Sequence, residues 1–182
     1  AHPGDIYFVH SGTGTDGAGY GQNPDAPTAT VDYAIGLCTA NKGDVIYVLP
    51  GHAETVTATS IALDVAGVSV IHLGNGLNRG TYTFGAAAAT ITVSAANCAW
   101  KNSHCIGNFL DVAAAFTLGA AKDFRLEGNT CVDNSASLGF LSIVVTGATD
   151  NDADGLAVVG NYWLGLDVSP NAFISILAAE DR

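Results

Sequence analysis

The sequence predicts an all-β solenoid: a single-stranded parallel β-helix with rungs of about 25–32 residues and a capping helix ahead of the first rung. Two recurring columns carry this expectation. In the first, Phe124-Arg125-Leu126-Glu127-Gly128-Asn129 returns as Leu156-Ala157-Val158-Val159-Gly160-Asn161 and, more loosely, as Val70-Ile71-His72-Leu73-Gly74-Asn75 and Cys98-Ala99-Trp100-Lys101-Asn102. Each is a short strand pattern stopped by an asparagine, and Asn75, Asn102, Asn129 and Asn161 are 27, 27 and 32 residues apart. In the second, the segments at 61–65, 91–95, 116–120, 143–145 and 174–176 alternate or run apolar, with Leu63, Val93, Leu118, Val145 and Ile176 spaced by 30, 25, 27 and 31. One recurring apolar motif is easily obtained by chance in a chain that is 48% hydrophobic; two columns advancing together are not.

Along the chain, Asp5-Ile6-Tyr7-Phe8-Val9 reads as a strand and residues 11–25 as a glycine-rich loop closed by Asn23-Pro24. That loop leads into no helix bearing a Lys, so a phosphate cradle is not its reading. Thr30 is placed to cap a helix from Val31 to about Ala40, with Asp32 in its first turn and Val31, Ala34, Ile35 and Cys38 as the apolar stripe. Gly43-Asp44-Val45-Ile46-Tyr47-Val48-Leu49-Pro50-Gly51 then reads as a buried strand ended by Pro-Gly. Residues 1–43 therefore form an N-terminal strand, loop and capping helix, and 44–182 the rungs, within one structural domain.

The four asparagines have two readings. Asn tolerates the left-handed conformation that a sharp turn needs. Stacked about 4.8 Å apart on successive rungs, their amides would also bond one another as a ladder. Neither role is catalytic. Cys105 and Cys131 each lie five residues after an equivalent strand position, Trp100 and Leu126, so they belong at matching places on neighbouring rungs, as buried free thiols.

Composition excludes some functions. Six Lys and Arg against seventeen Asp and Glu give a net charge of −11, and the basic residues form no cluster in sequence, which argues against nucleic-acid binding. No stretch approaches about 18 uninterrupted apolar residues, so the expectation is a soluble protein that does not span a membrane. An uncapped final rung ending near Ile176 would ask for a partner or for further chain.

The cap and first rung, Ser11-Gly12-Thr13-Gly14-Thr15-Asp16, a short helix and Gly43-Asp44-Val45-Ile46-Tyr47-Val48-Leu49-Pro50-Gly51-His52, resemble those of pectin-lyase-like right-handed parallel β-helix proteins. The helix Asp32-Tyr33-Ala34-Ile35-Gly36-Leu37-Cys38 and the rung Asp64-Val65-Ala66-Gly67-Val68-Ser69-Val70-Ile71 are also similar to β-helix virion proteins of tailed bacteriophages. The resemblance covers roughly residues 5–165 and implies a right-handed coil. It also implies a structural role on a particle surface, such as capsid decoration or cement, in a homo-oligomer (a trimer) or bound to other virion proteins.

Polysaccharide-cleaving β-helices need paired carboxylates, or Ca²⁺ beside a base, on adjacent rungs of one face. The columns stack no carboxylate on another; Lys101 and Glu127 would form an exposed ion pair between neighbouring rungs. No catalytic residue is assigned, and the alternative function is a tailspike-like polysaccharide depolymerase or lyase, or a glycan-binding module, with Tyr162, Trp163 and Trp100 as its aromatic platform if exposed; the favoured reading of Trp100 and Trp163, next to the ladder asparagines in apolar columns, is core. Asp150, Asp152 and Asp154, in Asp150-Asn151-Asp152-Ala153-Asp154-Gly155, match the first half of a Ca²⁺ loop and are the candidate metal ligands. Asn161 stands where such a loop needs its bidentate Glu, so the competing reading is a solvated turn. His2, His10, His52, His72 and His104 share no metal-ligand spacing and read as stacking or surface residues.

Overall fold

The computed structural model describes residues 4–149, 152–166 and 170–177, and it is a parallel β-helix. Strands are numbered along the chain, which visits three walls in turn and returns to the first. The first wall holds β1 (Ile6–Val9), β2 (Val45–Val48), β5 (Ser69–His72), β8 (Ala99–Lys101), β11 (Arg125–Glu127) and β14 (Ala157–Val159), in that order. The second holds β3 (Ala53–Val56), β6 (Thr81–Phe84), β9 (His104–Gly107), β12 (Thr130–Asp133) and β15 (Tyr162–Leu164). The third holds β4 (Ile61–Leu63), β7 (Ile91–Val93), β10 (Phe116–Leu118), β13 (Ser142–Thr146) and β16 (Ala172–Ser175). Adjacent strands within each wall pair in parallel, one coil apart.

Register puts one side chain above the next, and period-two alternation sends every second one inward. Ile46, Val70, Trp100 and Leu126 stack inside the first wall, and Tyr82, Cys105 and Cys131 inside the second. All are 0–1% exposed. Trp163 continues the second stack half-buried. The cysteines are free, and Cys105 pairs directly with Cys131.

The second wall has no counterpart among the two sequence columns. Its strands follow the first wall after turns as short as Asn102-Ser103, so they merge with the first column when read as sequence. In the third wall, Leu118 pairs with Thr146 rather than Val145. The run Ile143-Val144-Val145 is apolar at three successive positions, so its alternation has no visible phase.

The cap is built from local chemistry. The helix α1 (Val31–Leu37) starts at Thr30, whose hydroxyl accepts the Tyr33 amide at 3.3 Å, and it ends about three residues before the expected Ala40 because Cys38 is extended. Val31, Ala34 and Ile35 are buried under it, and Asp32 accepts the Ala62 amide at 2.9 Å on β4, the first strand of its wall. Asp16 ties the glycine-rich loop down, taking the Ala29 and Thr30 amides on Oδ1 and the Thr30 hydroxyl on Oδ2. β1 pairs with β2, so the cap and the coil share a sheet.

Candidate functional site

The four asparagines do not form one column. Lys101 pairs with Glu127, and His104 with Thr130, which sets Asn102 opposite Gly128 but Asn129 opposite Ser103. Asn102 takes the left-handed turn (φ 61°), while Gly128 (φ 67°) and Gly160 (φ 63°) take it on the next rungs. That frees Asn129 and Asn161 for the ladder. Asn129 Nδ2 donates to Asn161 Oδ1 at 2.8 Å, its Oδ1 accepts the Ser103 amide and hydroxyl at 2.8 Å each, and Asn161 Nδ2 donates to the Leu126 carbonyl. Asn102 Nδ2 instead donates to the carbonyls of His72 and Gly74. Asn75 lies outside the stack, exposed ahead of a 3-10 turn at Gly76–Asn78, with no capping side-chain bond.

Three of the six basic residues converge on one corner, although they are far apart in sequence. Glu127 Oε2 takes Arg125 Nε at 2.8 Å and Lys101 Nζ at 3.0 Å, and these two cations, Arg125 foremost, hold its carboxyl down at about 2. Arg79, from the turn before β6, reaches across two strands. Its Nη2 donates to Thr130 Oγ1 at 2.9 Å and its Nη1 to Asn102 Oδ1 and the Gly128 carbonyl at 3.4 Å each. Among the described residues no carboxylate pairs with Arg79. His104, between Thr81 and Thr130 in register and on the outward side of β9, is only 7% exposed. Burial first, then Arg79, depress its pKa, and its Nδ1 makes no hydrogen bond.

Inside the coil the polar groups are spent on structure. His72 Nδ1 lies 2.6 Å from the Lys101 carbonyl, which can only accept, so Nδ1 carries the proton and Nε2 accepts from Tyr82 O–H at 2.8 Å. Burial pushes His72 down to about 3, against that carbonyl bond, and pushes the Tyr82 hydroxyl well up. His52 Nδ1 accepts the Ser11 amide at 3.0 Å, which leaves its proton on Nε2, 3.2 Å from Glu54 Oε2; Glu54 Oε1 accepts the Val31 amide at the helix start. Asp44, fully buried, takes the amides of Asp5 and Thr39. Asp133 accepts the Phe140 amide and Trp163 Nε1 on Oδ1 and the Leu166 amide on Oδ2. Gly139 passes close enough that a Cβ there would sit 2.4 Å from that carboxyl carbon.

Of the proposed Ca²⁺ ligands, Asp150 lies outside the described residues. Asp152 folds back to accept the Thr149 amide at 3.1 Å, and the Asp152 and Asp154 carbonyls accept the Ala121 and Asp123 amides on the preceding rung. Among the described residues no three His, Cys, Asp or Glu side chains are grouped to hold a metal ion. Asp154 lines an open hollow of about 350 Å³ with Thr146, Leu156, Ile174 and Ile176. The aromatic platform divides: Trp100 is core, Trp163 is half-buried, and Tyr162 is 57% exposed beside Thr130 in register.

No family model matches the sequence, and no curated protein does. Among solved structures, the chain is similar to a rhamnogalacturonan lyase, with a TM-score of 0.60 and 16% identity over 96% of this chain and 56% of that one. This chain thus spans little more than half the length of that lyase, and at this identity the likeness concerns the fold.

Proposed function

We propose that this chain is a structural protein of a tailed bacteriophage particle, a rigid acidic solenoid carried on the particle surface as a capsid decoration or cement component and held there by other virion proteins or by copies of itself. The observation that carries this reading is how the polar groups of the wall are used. Asp44, Asp133, Glu54, Asp32 and Asp16 each accept backbone amides that would otherwise be unpaired, and His72 and Tyr82 satisfy each other. Groups committed in this way stiffen a scaffold.

The test is to purify particles from the source that encodes this chain, identify their proteins by mass spectrometry, and locate the solenoid by imaging with an antibody raised against it. Its presence at stoichiometric copy number on the surface is expected, and its absence from intact particles sinks the reading. The second reading is a glycan-binding module or depolymerase, favoured by Tyr162 standing exposed next to Thr130, where the Arg79 guanidinium ends. Incubation of the purified protein with acidic polysaccharides, with and without Ca²⁺, separates the two, since appreciable turnover promotes the second.

A further inference from the structure

We infer that Asn75-Gly76, in the turn between β5 and β6, is a site of spontaneous covalent modification, where the Gly76 amide nitrogen displaces ammonia from the Asn75 side chain and water opens the resulting succinimide to aspartate or isoaspartate. Asn75 is the only asparagine of the chain that precedes a glycine. Gly76 is at φ 58° with open space where a Cβ would stand, so no side chain of its own shields the nitrogen. Among the described residues neither the Asn75 side chain nor the Gly76 amide makes a hydrogen bond. Both reacting groups are exposed and uncommitted.

The coil confines the necessary movement to this turn. The Gly74 carbonyl is held by Asn102 Nδ2 at 3.2 Å and the Asn78 carbonyl by the Gly51 amide at 3.0 Å. Between these anchors Asn75, Gly76 and Leu77 are all exposed, Leu77 at 84%. Asn75 is extended (ψ 156°), so its Cα–C bond must rotate to bring the Gly76 nitrogen to Cγ, and segments this exposed open at little cost. Elsewhere the same groups are engaged. Asn102, Asn129, Asn134 and Asn161 each donate the side-chain amide that would have to leave. The nitrogens following Asn129 and Asn161 bond the Ser103 and Asn129 carbonyls, and Asp16, ahead of Gly17, has both carboxylate oxygens bonded.

The step balances with water alone. A solvent base takes the Gly76 amide proton, the nitrogen bonds to Asn75 Cγ, and the Cγ–Nδ2 bond breaks with Nδ2 leaving as ammonia; attack within one chain turn is intramolecular. Water then cleaves the ring on either side of its nitrogen. Breaking the bond to Cγ leaves aspartate, and breaking the bond to the former backbone carbonyl leaves isoaspartate, with an extra carbon in the main chain. Either product lands at the root of Arg79, because the Gly76 carbonyl accepts Arg79 Nε at 2.9 Å and the Asn75 carbonyl accepts the Asn78 amide at 3.1 Å. Both add a carboxylate to the turn of a guanidinium that pairs with none among the described residues. Isoaspartate also lengthens the turn from which Arg79 reaches Thr130.

The experiment is to age the folded full chain at mildly alkaline pH and map its peptides by mass spectrometry. Residue 75 is expected to gain a single mass unit and to split into aspartate and isoaspartate forms, the latter labelled by an isoaspartate-specific methyltransferase. Conversion should quicken as pH rises, since the deprotonated nitrogen attacks, and should run severalfold faster than at Asn102 and Asn134, although small serines follow both. Conversion at 75 no faster than at 102 or 134 overturns the site, and so does conversion seen in urea but not in the fold. Asn75→Gln leaves the exposed turn in place but requires a larger ring that closes far more slowly. It should abolish the mass gain and the label, and their survival in that variant overturns the assignment.

Discussion

Asn129 donates its side-chain amide to Asn161 Oδ1 one coil away while its own Oδ1 accepts both the amide and the hydroxyl of Ser103 on the coil before, so a single side chain ties three rungs. Asn129 is 1% exposed, and truncation would strand the Ser103 amide with no acceptor in a dry interior. A buried orphaned polar group costs about 1–3 kcal/mol. Asn129→Ala is therefore expected to destabilise the protein by about 2–4 kcal/mol by urea unfolding, while Asn75→Ala, on an exposed turn, changes stability by less than about 0.5 kcal/mol. Equal effects at the two positions would contradict the ladder.

Asp133 performs a similar task for the last described coil, holding Trp163 and Leu166 from β12 and the Phe140 amide from its own excursion. Asp133→Ala is expected to loosen β15 before the earlier rungs. The two tryptophans make this visible: Trp163 fluorescence should shift to the red at urea concentrations where Trp100, at the centre of the core, is unchanged. Variants with one Trp replaced by Phe separate the signals, and a single coincident transition for both in Asp133→Ala would argue against a locally held end.

How much of this was legible in the sequence depends on what each residue faces. The first wall could be read because its inward column, Val70, Trp100, Leu126 and Val158, ends in a turn residue each time. The second wall could not, because its inward positions include Gly107 and Asp133, which match no apolar alternation, and only two residues separate β8 from β9. The asparagine count misled by one position for a physical reason: Asn102 and Gly128 solve the same left-handed turn with different residues. The cationic corner was invisible because Arg79 reaches Thr130 across 51 residues of chain.

His72 makes acid stability a property of the core. Its folded pKa lies near 3, and an unfolded His titrates near 6.5, so between those values the unfolded chain binds more protons than the folded one. Stability then falls as pH drops from about 6.5 towards 3 and is insensitive to this group above that window; the slope from this one site is at most about 1.4 kcal/mol per pH unit. The double variant His72→Leu with Tyr82→Phe removes both partners of the buried bond together and leaves neither orphaned. It is expected to flatten the acid limb of a stability-versus-pH curve measured by urea unfolding. An unchanged limb would show that His72 is protonated at little cost in the fold.

Arg79 and His104 offer a sharper electrostatic test, because the charge of one acts on the other. The guanidinium bonds Thr130 on β12 from a turn preceding β6, and so passes the level of His104 on β9. Desolvation and the nearby positive charge of Arg79 both depress the pKa of His104. Arg79→Met keeps much of the apolar stem but removes the charge and the bonds to Asn102, Gly128 and Thr130. The His104 titration followed by NMR should move up towards the ordinary histidine range, while His72, sealed inside the coil by burial, stays low. The same variant should lose about 1–2 kcal/mol, the scale of charge-assisted bonds to neutral acceptors partly open to solvent. If His104 does not move, the Arg79 charge does not act on it, and burial alone holds its pKa down.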